Sequence, residues 1–330
     1  MTATEVPATG AGRAPKKTIS YALPVYNEAG CLRLFHQRLV EATDARPEYD
    51  YEFVYVNDGS RDGSLEILRE LASADPRIRI VDFARNYGHQ IAITAGIDHA
   101  TGDAVIVMDT DLQDPPAVSM ELVDAWERGA DVAYAQRRTR KDTPFKRFTA
   151  HAYYRLLRRL AEVDIPVDAG DFRLLDRKVA DELSRYRERN RFLRGIIASM
   201  GFTQVAVPFD RDERAAGETN YSLGKMLRLA VDGVTGFSTA PLKAITRLGF
   251  VTVALSILGI VYALVLRIFF PEISVSGWTL LMISILFLGG VQMLSLGVIG
   301  SYVGRIYQEV QNRPLYIVRE IVQHDARETA

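Results

Sequence analysis

The sequence predicts an α/β domain on a doubly wound, mostly parallel sheet, followed by a juxtamembrane amphipathic helix and a two-helix transmembrane hairpin. Three observations predict it. Short apolar runs alternate with helical patterns from Thr18 to about Gly129, the rhythm of βαβ units. Polar and charged residues collect at the ends of successive runs, where such sheets bind ligands. Leu248 to Leu266 and Trp278 to Val303 carry no charged side chain. Each is long enough for a hydrocarbon core about 30 Å thick, which takes roughly 20 residues.

The elements follow in order. ISYALPVYN reads as a strand, and the stretch of about fifteen residues from Glu28 as a helix. YEFVYVNDGS is a second strand and turn, SLEILRELA a second helix, RIRIVDFA a third strand and HQIAITAGIDHA a third helix. DAVIVMDTD is a fourth strand and DVAYAQR a fifth. A basic, aromatic helix is expected over 143–160, mixed structure over 171–208, and a helix suited to the headgroup plane within YSLGKMLRLAVDGVTGF. The expected organisation is a disordered tail over 1–17, a cytoplasmic catalytic domain over 18–220 and the amphipathic helix over 221–243. Two spans within 244–304 (about 248–268 and 278–303) and a cytoplasmic tail over 305–330 follow.

The net charge of −1 gives no global field for nucleic acid. Cys31 is the one cysteine, which excludes an internal disulfide and a Cys-rich zinc cluster. The first sixteen residues lack the apolar stretch of a signal peptide. A mean hydropathy of −0.01 hides the asymmetry between a polar domain and apolar spans. Lys243 and Arg247 precede the first span, and Arg305 and Arg313 follow the second. This basic bias puts both termini and the catalytic domain on the cytoplasmic side of an inner membrane, crossed more than once.

Chemistry concentrates in VIVMDTDLQDPP (105–116). On an extended strand Asp109 and Asp111 share a face, and Gln113 continues the alternation. Oxygen ligands fixed this way suit a hard divalent cation such as Mg²⁺, which takes one or two carboxylates and completes its shell with substrate phosphates and water. VNDGSRDGS has the composition of a tight turn, with Ser64 placed to cap the next helix. In RNYGHQ, Arg85 is placed to face a phosphate beside the first amides of a helix. His89 and His151 read as ordinary helix residues, and RFLRG as a connection toward the membrane-facing side.

PVYNE (24–28), VNDGS (56–60), DTDLQDPP (109–116), GDFRLLD (170–176), RFLRG (191–195) and ERAAGETNYS (213–222) together resemble a family-2, GT-A-type glycosyltransferase. The likeness is nearer to the polyprenyl-phosphate glycosyltransferases, including dolichyl-phosphate mannose synthase and bacterial undecaprenyl-phosphate glucosyltransferases. It runs from about residue 18 to the end. Asn57 departs from it, since many family-2 enzymes carry an aspartate there.

The resemblance implies roles. Pro24, Tyr26, Glu28 and Asp58 would hold the nucleoside; Arg85, placed by its own position at a strand end, completes the expected donor set. Asp109, Asp111 and Gln113 would hold Mg²⁺ or Mn²⁺ on the sugar-nucleotide pyrophosphate. Arg137 and Arg147 would bind the acceptor phosphate, Asp171 would act near the sugar as base or positioning group, and Arg214 would reach the phosphates. The implied partners are a nucleotide sugar (UDP favoured, GDP open), a polyprenyl phosphate and the membrane, with a homo-oligomer left open. A phosphate monoester has a second pKa of about 6, so the acceptor needs little proton abstraction. Inversion at the anomeric carbon is implied. The rivals are a processive polysaccharide synthase, whose Gln-x-x-Arg-Trp motif is missing around Trp126 and Trp278, and an inactive adaptor that keeps the fold.

Overall fold

The computed structural model describes residues 16–138, 169–189, 191–210, 240–269 and 277–323. The expected helix over 143–160 lies outside them, as do Arg147, Arg214 and most of the expected amphipathic helix. The elements in chain order are β1 (Thr18–Val25), α1 (Leu32–Asp44), β2 (Asp50–Asn57), α2 (Ser64–Ala74), β3 (Ile78–Phe83) and α3 (His89–His99). Then come β4 (Ala104–Val107), α4 (Val118–Glu127), β5 (Val132–Arg137), β6 (Ala169–Asp176), α5 (Arg177–Arg185), α6 (Leu193–Ser199) and β7 (Gln204–Phe209). Two long helices, α7 (Ala240–Phe269) and α8 (Trp278–Val310), precede β8 (Val318–Gln323).

The strands form one sheet in the order β7-β5-β6-β4-β1-β2-β3-β8. Within it β4-β1-β2-β3 are parallel, β6 lies antiparallel between β4 and β5, and β8 is antiparallel against β3. The sheet is mixed and mostly parallel, as expected. Alternation along β1 explains its two faces. Ile19, Tyr21, Leu23 and Val25 pack with Phe35 and Leu39 of α1, Leu68 of α2 and Leu122 of α4. Ala22 belongs to the opposite core, with Ile93 of α3, Val179 of α5 and Ile196 of α6. On that face Gly96 lets α3 settle on β1, because a Cβ there would lie 2.7 Å from the Ala22 Cβ.

After β3 the chain crosses to the far side of β1, so the order reverses between β1 and β4. A crevice opens at such a point beyond the carboxyl ends of the strands.

Strand β8 is the element that the reading of 305–330 as a tail did not anticipate. Asn312 takes the left-handed conformation, with φ of 43°, and its N–H donates to the Glu309 carbonyl at 3.0 Å. Asparagine tolerates that geometry at a helix end. The turn ends α8 and returns the chain to the edge of the sheet, with Tyr316 stacked on Phe83 at 5.0 Å between ring centroids.

Helices α7 and α8 are long and apolar enough to cross a membrane, over Ala244–Leu266 and Phe287–Val310, and neither stretch is buried by the protein. Phe250 is 73 % exposed and Met293 72 %.

Candidate active site

A cavity of about 300 Å³ sits at the reversal point, lined among others by Pro24, Tyr26, Glu28, Asp58, Asp109 and Asp111. Asn86, Gly88 and His89 close its side. The loop after β1 is clamped to the turn after β2. The Ser60 and Ser64 hydroxyls accept the Asn27 and Glu28 amides at 3.0 Å each, and Asp62 accepts the Ala29 amide at 3.0 Å. Ser64 therefore serves the neighbouring loop and does not cap α2, whose N-cap position is Gly63.

Asp58 is buried and spends both oxygens on the next loop, accepting the Tyr87 amide at 2.6 Å and the Gly88 amide at 2.9 Å. Burial raises its carboxyl above the usual range against those hydrogen bonds. Gly59 is required here. Its φ is +68°, and a Cβ would lie 2.7 Å from the Arg85 carbonyl carbon and the Asn86 nitrogen. Asn57, the departure from the family pattern, is buried and donates to Asp82 at 2.7 Å.

The acidic segment after β4 differs from its expected form. The strand ends at Val107, and Leu112 takes a φ of 63°, so no extended alternation carries Asp109, Asp111 and Gln113 on one face. Gln113 is buried away from the cavity lining, and its backbone N–H donates to Asp111 at 3.0 Å. Asp109 and Asp111 do reach one cavity, through a turn.

The Arg85 guanidinium lies over the Tyr87 ring at 4.1 Å and donates to the Asn86 carbonyl at 3.1 Å.

Asp171, on β6, is nearly buried among side chains from distant segments. Arg194 donates to it at 2.9 and 3.3 Å, Gln90 at 2.9 Å, and His89 Nε2 lies 3.5 Å away. Burial alone would raise its carboxyl, but His89 and Arg194 outweigh this and hold it far below the usual range. His89 Nε2 is also 3.5 Å from Asp109. Desolvation pulls the imidazole down, yet Asp171 and Asp109 prevail and its pKa is raised. Behind them Arg173 is fully enclosed, brought down to about 10 by burial, and donates to the Gly170 carbonyl at 2.8 Å. The Arg137 guanidinium lies 4.0 Å from where a Cβ on Gly170 would sit, beside Asp171.

His89, Gln90 and Arg194 were thus missed as site residues by reading the sequence. The signal was present for His89 and Gln90, at the start of a helix after a strand end. Arg194 gave none beyond its motif.

Burial, and then Asp111 and Asp109, raise the Glu28 carboxyl. The floor of the cavity therefore holds surplus negative charge. Among the described residues no three His, Cys, Asp or Glu side chains group around a common metal position. Two neighbouring carboxylates with open space beside them fit a hard cation that draws the rest of its shell from phosphate and water. Cys31 nearby is no nucleophile, since burial pushes its thiol up to about 12.

An acid-floored cavity at the reversal point of this sheet defines a class, the GT-A fold. The family model for glycosyl transferase family 2 matches residues 20–184. An uncharacterized glycosyltransferase of Bacillus subtilis, YkcC, is 49% identical over 91% of this chain and 93% of its own. The SfII prophage-derived bactoprenol glucosyl transferase of Shigella flexneri is 40% identical over 92% of this chain and 97% of its own. A Synechocystis glycosyltransferase, sll0501, is 44% identical over 92% and 95%. The chain belongs to glycosyl transferase family 2 and is an enzyme of sugar transfer.

Proposed function

We propose that this enzyme is a hexosyltransferase that moves a sugar from a nucleotide sugar, a UDP-sugar in preference to a GDP-sugar, onto a polyprenyl phosphate such as undecaprenyl phosphate. The observation that carries the proposal is the pairing of Asp109 and Asp111 on the floor of a cavity whose lining residue His89 lies 3.5 Å from Asp171, itself paired with Arg194. The Shigella relative, named for bactoprenol, supports the acceptor class. The exposed apolar helices α7 and α8 support a membrane hairpin, and Lys243, Arg247, Arg305 and Arg313 at its outer ends support a catalytic domain on the cytoplasmic face.

Pro24, Tyr26, Glu28 and Asp58 surround the nucleoside in this reading, and Asp58 also fixes the loop that bears His89. Asp109 and Asp111 would hold Mg²⁺ or Mn²⁺, which when bound neutralises charge on the donor pyrophosphate. A phosphate oxygen of the acceptor attacks the anomeric carbon as the bond to the nucleoside diphosphate breaks, which inverts that centre. The attacking oxygen is mostly ionised near neutrality. Asp171 already accepts bonds from Arg194 and Gln90 and is held as the anion. Its role is therefore to position the sugar and the cationic side chains, and Arg137 beside it faces the acceptor phosphate. Arg147 and Arg214 remain proposed acceptor and phosphate contacts by resemblance.

The test is a screen of radiolabelled nucleotide sugars against undecaprenyl phosphate in membranes holding the protein. Metal-dependent label in the lipid fraction is expected. Label in a long polysaccharide, or in no product with any donor, would overturn the reading.

A further inference from the structure

A second cavity, also of about 300 Å³, lies where the chain leaves α8. Arg187 and Arg189, between α5 and α6, line it together with Glu309, Asn312, Arg313 and Tyr316. None of them lines the acidic cavity. Three guanidinium groups and one carboxylate line it, and with Arg187 paired to Asp98 just outside the lining a surplus of one positive charge is left.

The arrangement is anchored. Arg187 pairs with Asp98 at 2.7 Å, and the Tyr316 hydroxyl donates to the same Asp98 oxygen at 2.9 Å. Glu309 accepts the Arg189 amide at 2.8 Å, while the Arg189 guanidinium donates to the Arg313 carbonyl at 2.9 Å. Among the described residues, the Arg313 guanidinium has no ion pair or hydrogen bond. A helix carboxyl end repels anions, but the last amides fold back here, Gln311 N–H onto the Tyr307 carbonyl and Asn312 N–H onto that of Glu309. The arginines then set the sign of the cavity.

Position supplies the rest. The candidate span of α8 runs to Val310, but its charge-free run ends before Arg305, so Arg305, Glu309 and then Arg313 mark its polar end. On the reading that α8 crosses the membrane, the cavity stands at the depth where hydrocarbon gives way to headgroups. Basic pockets at that depth hold anionic headgroups, and guanidinium forks match phosphate oxygens. We propose that this cavity binds the headgroup phosphate of an anionic glycerophospholipid. The site is separate from that of the acceptor, whose phosphate must reach the anomeric carbon in the acidic cavity. The same segment carries Arg187 and Arg189 to the lipid and Arg194 to Asp171. A bound headgroup therefore steadies the piece of chain that positions Asp171.

The experiment uses the full chain in nanodiscs of phosphatidylcholine with phosphatidylglycerol, released for native mass spectrometry. Retained phosphatidylglycerol is expected to exceed phosphatidylcholine about tenfold, a difference of about 1.4 kcal/mol. Arg313→Gln should bring the ratio near unity while melting temperature and nucleotide-sugar binding stay unchanged, because that side chain holds nothing in the fold. Arg189→Gln should act in the same direction, and Arg313→Lys should keep part of the preference. No preference in the wild type, or an unchanged ratio in Arg313→Gln, overturns the proposal. Displacement by inorganic phosphate would make the ligand a free phosphate, and displacement by undecaprenyl phosphate would make this the acceptor's site; either result overturns it. A protein that alkaline carbonate strips from the bilayer refutes the membrane reading first, and this proposal with it.

Discussion

The wall of the acidic cavity and the layer behind it hold their carboxylates by different means. On the wall from β1, β2 and β3, backbone amides do the holding, with Asp58 taking those of Tyr87 and Gly88. In the layer behind, on β6, side chains do it, with Asp171 taking Arg194 and Gln90 from segments far away in sequence, and His89 of the lining lies 3.5 Å from both Asp171 and Asp109. On the floor Glu28, Asp109 and Asp111 turn like charge toward one another, and the Glu28 carboxyl is raised by burial and by those two neighbours. The contrast separates carboxylates held by several fixed donors from a floor on which like charges face one another.

The largest effect should come from that floor. Asp111→Ala should lower transfer by about 10³-fold, comparable to losing a main electrostatic contact to the transition state, with the melting temperature kept. Excess chelator on the wild type should mimic it. Full activity in either case would remove the cation from the site.

Next is Asp171→Asn, for which a loss of about 10²-fold is expected, the size of a misplacement of reacting groups. Because the acceptor is ionised above about pH 6, the loss should persist from pH 6 to 9 at saturating donor. Strong recovery at the alkaline end would restore Asp171 as a base. The folded carboxyl lies below its unfolded value near 3.9, so its ion pairs stabilise the fold above that value and the contribution fades as pH falls from about 4. The stability gap between wild type and Asp171→Asn should therefore narrow in acid.

The same contrast explains what could be read from the sequence. The backbone-built wall was legible because its signals are local: an apolar run, then Asn, Asp, Gly and Ser in a turn. The succession of strands β1 to β5 along the chain followed from the same rhythm, though not their order in the sheet. Asp109 and Asp111 were legible as a pair, but their geometry was not, since the left-handed Leu112 gives no sequence signal. The side-chain-built layer behind it was opaque. Nothing in HQIAITAG or RFLRG says that His89, Gln90 and Arg194 meet one aspartate, because β6 must first insert antiparallel between β4 and β5. β8 was missed for a related reason, since its partner β3 is more than two hundred residues earlier.

A smaller effect is expected on the backbone-built wall. Gly59→Ala forces a side chain into a left-handed position against the backbone of Arg85 and Asn86. About 2 kcal/mol of stability should be lost, with weaker donor binding and an unchanged pH profile of the rate. Calorimetry with nucleotide and a thermal melt check both. A variant as stable and as tightly binding as wild type would mean that this wall is not set by backbone approach.

The smallest effect probes whether the sheet edge shares in that wall. Arg319 of β8 reaches the buried Asp82 at 3.3 Å, and Asp82 accepts from Asn57, whose own oxygen accepts the Ser60 amide at 3.3 Å. A line of contacts thus runs from the strand after the long helices to the turn beside Asp58. Arg319 is more than half exposed, so water can replace much of what its guanidinium supplies. Exposed pairs contribute about 0.2–1 kcal/mol, and Asp82 keeps its bond from Asn57. Arg319→Gln should therefore cost under about 1 kcal/mol, with donor affinity unchanged. A loss of 3–5 kcal/mol, the mark of a buried pair broken on one side, would show instead that β8 holds the wall. A fall in donor affinity at unchanged stability would show that the line of contacts transmits to the cavity, and the wall and the layer behind it would then differ less than their hydrogen bonds suggest.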